Sequence, residues 1–572
     1  MQHEWYYHCH KPRTAADLFN VENQPVIPPK VVDSLTISLS LTVNGSTVNI
    51  PGGNIKSVDV ALNRAGFRGY IAFWIGTERK ADDVLPLVNN DALMQLRLTI
   101  EPAIDRNKRI EPLTLQGIVT EKMLEEQHYH DIRNQPVLSR YYQLWFSDAA
   151  SALWHQHFPC ELWVNATMQQ LIDKQLNPVI KVNYTHQALS VKQPMIALGL
   201  AKTDGYRLIQ SGPQNNASFY DFLLQYLDSV AGHWVYDYQQ QQYRILEKLP
   251  EPASAEGFLG HELQQVKVHW PSQTRYQIRL RNGIAEGAST DHLTQAQAYK
   301  GLYQDILYRQ PIPSALKGIK SYYNKQLTTQ GEELHIACCE WPLQTYYPGC
   351  VFQIAKTGWE QQSVFAQHKY RSYQLRIIAE AVDNDQASDL DNDATQYVLN
   401  YQIKAERLQN CRQRFPEYRP VNYPMYVEGI ILSEVGDKKE KTYQLHKNQQ
   451  TSQYEYQVHI PLWDKKIKVL FEPENLTPHF FFPLYKDTQV LLAIDLYQAT
   501  IVKVLNWGAG VKLPLDPQGN HIVFGKKKDD QAALKYDYQQ DKPVLSIKRQ
   551  KAKDTELIQL EEGLLILQTA EE

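Results

Sequence analysis

NASFYDFLLQYLDSVAGHWVYDY, residues 216–238, carries the clearest helical signature in the chain. Phe219, Phe222, Leu223, Tyr226, Leu227 and Val230 recur at i, i+3, i+4, i+7, i+8 and i+11, one continuous apolar stripe at the helical period. Ser218 can cap the N-terminus, with Asp221 three residues on as the acidic partner. This is a capping box with Asp in place of Glu. Gly232 is placed to end the helix in the left-handed conformation. A shorter helix is predicted over 166–176, with Met168, Leu171, Ile172 and Leu176 on one side.

Around these helices the period changes to two. Leu35, Ile37, Leu39, Leu41 and Val43 alternate, and Asn44-Gly45 follows as a hairpin turn. Val58, Val60 and Leu62 repeat the pattern, as do Leu96, Leu98 and Ile100, and Leu113 and Leu115. YYQLWF (141–146), VKVHW (266–270) and YQIRL (276–280) read as further strands. The chain is therefore predicted to be mainly β with a few helices, a β-rich α+β protein. EKLPEPASAEG (247–257) reads as a linker, and RFPEYRPVNYP (414–424), with three prolines, closes the first large region. Four or five strands follow within about 90 residues, the size of a small barrel such as the OB-fold. From 516 onward the strands HIVFG, PVLSIKR, ELIQL and LLILQ are short, with charged turns.

Length and composition narrow the function classes. At roughly 100–200 residues per domain, 572 residues predict three to five domains. The chain is 43% hydrophobic and 21% charged, enough to bury sizeable cores. Lys and Arg total 59 against 63 Asp and Glu, and this near-balance argues against a nucleic-acid partner. No basic, apolar leader opens the sequence, and no run approaches the ~18 apolar residues of a spanning helix. Synthesis in the cytoplasm is expected. Cys9, Cys160, Cys338, Cys339, Cys350 and Cys411 form no CxxC pair, so neither a zinc ribbon nor a disulfide framework is indicated.

Each enzyme signature fails at a named residue. HEWYYH (3–8) spaces its histidines at i, i+5, about 140° apart on a helix at 100° per residue, and GHELQQ (260–265) lacks a second histidine. His155, His157 and Cys160 in WHQHFPC, and His128 and His130 in QHYH, place pairs at i, i+2, which would share a face on a strand. No third ligand follows by motif. DNDQASDLDNDAT (383–395), started at Asp389, has Ala394 where a calcium loop needs glycine and Asn400 where it needs glutamate. PGGNIKS (51–57) has Ile55 at the glycine of a phosphate loop, and GAG (508–510) is too short for a dinucleotide fingerprint. No catalytic, cofactor-binding or metal-binding residue is assigned, no cofactor is expected, and the protein is read as non-enzymatic.

The order of segments resembles VgrG-type spike proteins of contractile injection systems. LTLQGIVTEK (113–122), YQLWF (142–146), the 166–176 helix and SFYDFLLQYLDSVAGHWVYDY are similar to the hub half of that family. Ser218, Asp221, Phe222, Leu223, Leu227, Gly232, Trp234 and Tyr236 occupy comparable motif places. YPGCVFQI (347–354) and KYRSYQLRIIAEAVDN resemble later hub strands. RFPEYRP, VEGIILSEVG, YQVHIPLWDKKIKVLF and FFFPLYKDTQVLLAI resemble the linker and barrel, and NHIVFG the opening strand of the spike prism. Lys486 departs from the usual glycine, and ATIVKVLNW stands where a G-D-P-D-x-P turn is usual.

The resemblance implies an organisation and a role. An N-terminal extension (1–30) precedes a hub region (31–412) of two interleaved β-barrel modules and a helix-containing subdomain, with an internal linker near 247–257. An OB-fold barrel (413–515) and a short trimeric β-prism (516–572) follow. The implied function is that of a homotrimeric spike and hub, joining a hexameric tube to a piercing needle in a type VI secretion, extracellular injection or phage-tail machine. The implied partners are the tube protein, baseplate wedge proteins, a small PAAR-like tip protein and effector cargo. The assembled particle would be secreted or delivered to a target cell. The alternative is an all-β carbohydrate-binding or adhesin protein.

Overall fold

In a computed structural model, the structure describes residues 31–76, 82–103, 111–130, 134, 136–201, 216–251, 256–258, 262–283, 288–293, 298–308, 313–326, 331–354, 363–386, 388–410, 413–436, 442–449, 453–470, 483–506, 519–527, 530–540 and 542–571. These residues are mainly strands. Five α-helices lie among them: α1 (Leu85–Val88), α2 (Ala149–Trp154), α3 (Met168–Lys174), α4 (Phe219–Ser229) and α5 (Pro313–Gln326). No described helix is long and apolar enough to cross a membrane. The chain separates into two compact units.

The first unit takes its described residues from the ranges up to Phe158, Asp173–Leu189 and Ala217–Pro420. Its centre is a closed circuit of eight strands. Val31–Val43 pairs with Met94–Pro102, then Leu113–His130, Pro136–Ser147, Gly66–Gly76, Ile55–Asn63, Tyr370–Ala381 and Ala394–Arg407, which pairs back onto Val31–Val43. Closure leaves these strands without a free edge over the paired stretches. The alternation in the sequence fills the core: Leu35, Ile37, Leu39, Leu41, Val58, Val60, Leu62, Leu98 and Leu144 are buried. Asn44 and Gly45 take positive φ of 50° and 85° and turn the first strand onto Ser46–Ile50, as the primed hairpin turn requires. A separate sheet, Gln277–Asn282 between Ser289–Leu293 and Tyr303–Tyr308, packs Ile278, Leu280 and Leu293 against Ile319 and Tyr323 of α5.

The helix α4 forms where its stripe predicts. Ser218 accepts from the Asp221 backbone while Asp221 reaches back to the Ser218 backbone, so both halves of the capping box are present. Phe222 stacks between Phe219 and Tyr226. Phe219 meets Trp154 of α2 edge-on at 5.0 Å, and Trp154 lies 5.9 Å from Trp234, which stacks on Tyr243 at 4.6 Å. The stripe thus buries against an aromatic cluster drawn from α2 and the hairpin His233–Asp237 and Gln242–Leu246. The helix end differs from expectation. Ala231, not Gly232, takes the left-handed conformation, at φ 54°. Ala231 and Gly232 donate to the Asp228 and Leu227 carbonyls, the paired bonds of a Schellman end. Glycine is required at 232 for space instead: a Cβ there would lie 2.9 Å from the His186 ring and 3.2 Å from Leu227.

The second unit takes Pro159–Ile172, the described residues of 190–216, and those from Val421 onward. Met425–Leu432, Tyr454–Ile460, Lys465–Leu470, Ala499–Asn506 and Gln489–Ile494 pair in that order and close back on Met425–Leu432, a five-stranded barrel. Its core holds Ile431, Tyr456, Val458, Val490, Leu492 and Ile494. Leu162, Met195 and Ala197 join that core from the antiparallel pair Cys160–Thr167 and Lys192–Gly199, which lies hundreds of residues earlier in the chain. Five more strands follow as a simple antiparallel meander: Gly519–Lys527, Asp530–Gln539, Lys542–Lys551, Asp554–Glu561 and Leu564–Ala570.

Candidate assembly interface

The register of the C-terminal meander collects most of its exposed large apolar residues on one face. Ile522, Leu534, Ile547, Ile558 and Leu567 stand side by side across all five strands. A second row, Tyr536, Leu545, Leu560 and Leu565, runs beside it. Two residues the other way, the row runs from Phe524 and Ala532 into Arg549 and Glu556, paired at 3.0 Å. The opposite face is mixed: Lys535, Ser546, Gln559 and Ile566 make one row and Val523, Ala533, Lys548, Leu557 and Gln568 another, and Ala533, Val544 and Ser546 on that face are buried. Nine large side chains of the first face, those of its two apolar rows other than Leu545 together with Phe524, are 36–70% exposed, Leu534 the least and Leu567 the most. Fully burying one such side chain stabilises by about 2 kcal/mol. Half of that is still ungained at each position, roughly 9 kcal/mol per chain before the cost of association. The strands at 519–527 and 564–570 each have one paired neighbour among the described residues, so each also presents an edge.

Several of the polar candidates read from the sequence are built into the fold. His3, His8, His261 and the 508–510 glycines lie outside the described residues. Glu262 is buried and accepts from the Leu343 backbone at 2.6 Å. His155 caps the end of α2 and His157 follows in a loop, so the two do not share a strand face as expected. The His155 ring bonds to the Ser151 carbonyl at 2.6 Å and the His157 ring to the Gln175 amide at 2.6 Å. The Cys160 carbonyl accepts from the Trp463 indole. His128 and His130 do share a strand face, ring to ring at 5.2 Å, and both are exposed.

Two segments set aside as a failed calcium loop and a failed phosphate loop dock on each other. The Gly53 backbone donates to the Asn392 carbonyl at 2.7 Å, and the Asp391 backbone to the Asn54 amide oxygen at 2.9 Å. Lys56, 1% exposed, donates to the Ser388 carbonyl at 2.8 Å and the Asp383 carbonyl at 3.4 Å. Burial pulls its ammonium below the usual lysine range, while Asp389, Asp383 and Asp385 pull it back up. A lysine from a distant segment thus supplies the acidic loop with its cation.

A buried ion network crosses the first unit. Glu406 accepts from Arg64 and, at 2.9 Å, from Arg414, which also reaches Glu333. Burial alone would raise the Glu406 carboxyl, but the two guanidiniums outweigh it and hold it low. Arg414 lies over the Tyr373 ring at 3.9 Å. His233 sits nearby. Burial, then the charges of Arg64 and Arg371, push its imidazole down to about 4. One group escaped the sequence reading. His269, Glu333 and His335 hold their ligand atoms within 4.8 Å of one another, the only such group of three among the described residues. Its sequence signal was Glu-x-His on one strand, with the third member 64 residues away.

No family model matches the chain. A search of curated proteins finds no match. Solved structures do match. A chain of the Francisella PdpA–VgrG complex in its lidded form aligns at TM-score 0.70 and 12% identity, over 95% of this chain and 81% of that one. In the lidless form of the PdpA–VgrG complex the match is at TM-score 0.69 and 12% identity, over 95% of this chain and 100% of that one. A prophage MuSo2 43 kDa tail protein from Shewanella oneidensis covers 65% of this chain at TM-score 0.40 and 10% identity, too slight an overlap to argue from. At these identities the likeness is one of fold, and nearly the whole chain follows the fold of a chain in a PdpA–VgrG complex.

Proposed function

We propose that this chain is a structural spike and hub of a contractile injection machine, working as a homotrimer that joins a hexameric tube to a needle. The observation that carries the reading is the exposed apolar face of the C-terminal meander. A sheet face with two apolar rows open to water marks a surface that a partner covers. Three copies wound about one axis would bury the three faces against each other and pair the exposed edges. The fold likeness to a PdpA–VgrG chain supports the same reading. So does the barrel, whose strands taken in chain order pair as first, second, third, fifth and fourth, an arrangement we read as the OB type. In this proposal the tube protein, baseplate wedge proteins, a PAAR-like tip protein and effector cargo are the partners, the work is mechanical rather than catalytic, and the protein leaves the cytoplasm with the assembled particle.

Analytical ultracentrifugation of the full-length chain and of a version ending at Asn506 tests this. The full chain should sediment as a trimer, and the shortened one as a folded monomer or weak oligomer. A tight trimer without the meander would move the association to other residues. A full-length monomer at every concentration would overturn the trimeric spike and favour the carbohydrate-binding alternative.

A further inference from the structure

We infer that His269, Glu333 and His335 form a binding site for one zinc-class divalent cation. The strand Glu333–Cys338 buries Leu334, Ile336 and Cys338 and turns Glu333 and His335 to the other face, two residues apart. The strand Leu263–His269 pairs with it so that His269 stands directly opposite Glu333. Three potential ligands from two strands thus meet on one face, half-buried, with all ligand atoms within 4.8 Å. Zinc bonds to imidazole and carboxylate are about 2.0–2.2 Å, so ligand atoms around it lie roughly 3.3 Å apart. Closing that gap takes side-chain rotation of about an ångström, with no change of register.

The carboxylate is already oriented. Arg414 holds one Glu333 oxygen, and the Tyr373 hydroxyl donates to the other at 3.1 Å. That second oxygen faces the His269 ring, with Nδ1 at 3.9 Å. Fixing a ligand through outer hydrogen bonds is what metal sites use to lower the cost of organising them. Two imidazoles and one carboxylate suit zinc and its transition-metal neighbours, whereas magnesium and calcium prefer oxygen alone. Three protein ligands leave a fourth position for water or for a donor from elsewhere. Lys267 and Lys404 both stand opposite His335 in register. Their charges, with that of Arg414, oppose a further cation and weaken its binding.

The test uses the full-length protein, titrated with CoCl2 and then with ZnCl2. One equivalent of Co2+ should bind with the visible absorption of a tetrahedral site, and Zn2+ should displace it. His269→Ala and His335→Ala should each weaken binding by at least about a hundredfold, and Tyr373→Phe by about tenfold, with circular dichroism unchanged. Replacing the exposed pair His128 and His130 by alanine should change nothing. The inference is overturned if neither metal binds saturably up to millimolar concentration, or if binding survives both single histidine variants. It is equally overturned if binding is lost with His128 and His130.

Discussion

Ile547 lies at the centre of the exposed apolar row, between Leu534 and Ile558, and is 50% exposed. Replacing it by alanine removes three carbons, worth about 2.4 kcal/mol when fully buried, at ~0.8 kcal/mol each. Half of that contribution is present in the single chain, so its fold should lose only about 1.2 kcal/mol. The other half, about 1.2 kcal/mol per chain, is gained only on association. Over three chains this comes to about 3.6 kcal/mol, or roughly 400-fold in the trimer constant. The monomer–trimer midpoint varies as the square root of that constant, so it should rise about 20-fold in concentration. Sedimentation at a series of concentrations, with a fluorescent label for the lowest, reads this directly. Lys548→Ala, on the opposite face, is the control and should leave the midpoint in place. The reasoning fails if Ile547→Ala does not shift the midpoint, or if Lys548→Ala shifts it as much.

Phe222→Ala should cost about 3–5 kcal/mol, read as a lower melting temperature, because the ring is 2% exposed and stacked between Phe219 and Tyr226. An unchanged melting temperature would mean the cluster collapses without a cavity. His233 should make stability rise with pH between about 4 and 6.5. In that window the unfolded chain binds a proton that the folded chain refuses, worth up to about 3 kcal/mol. Denaturant titrations across the window should show the slope, and His233→Gln should flatten it. Lys56→Met should lose roughly 2 kcal/mol, since it strips the ammonium from the Ser388 and Asp383 carbonyls and leaves the carboxylates of the loop uncompensated. Equal urea midpoints for Lys56→Met and the parent would show that water replaces the ammonium without cost.

Local pattern was enough to read the elements of this protein. A residue's period of burial is a property of its neighbours in sequence, so the α4 stripe, its Ser218 and Asp221 cap, the Asn44-Gly45 turn and the alternating strands were all legible. So was the mainly β class, and the series of segments was enough to find a fold likeness that 12% identity hides from direct comparison. Long-range register was not legible. Nothing local says that Val31–Val43 closes a circuit with Ala394–Arg407, or that Leu162 and Met195 finish the core of a barrel that begins at Met425. Both follow from burial of whole faces, which is settled only when distant strands compete for the same partners. The polar groups show the same division. His155 and His157 looked like a pair because spacing was all that could be seen, and the helix end at Trp154 separates them. Lys56 and the 383–395 loop each failed a motif alone, and only the fold, by bringing residues more than three hundred positions apart within 2.8 Å, made one the counter-charge of the other. His269, Glu333 and His335 meet for the same reason: strand register, a tertiary property, decides which side chains face each other.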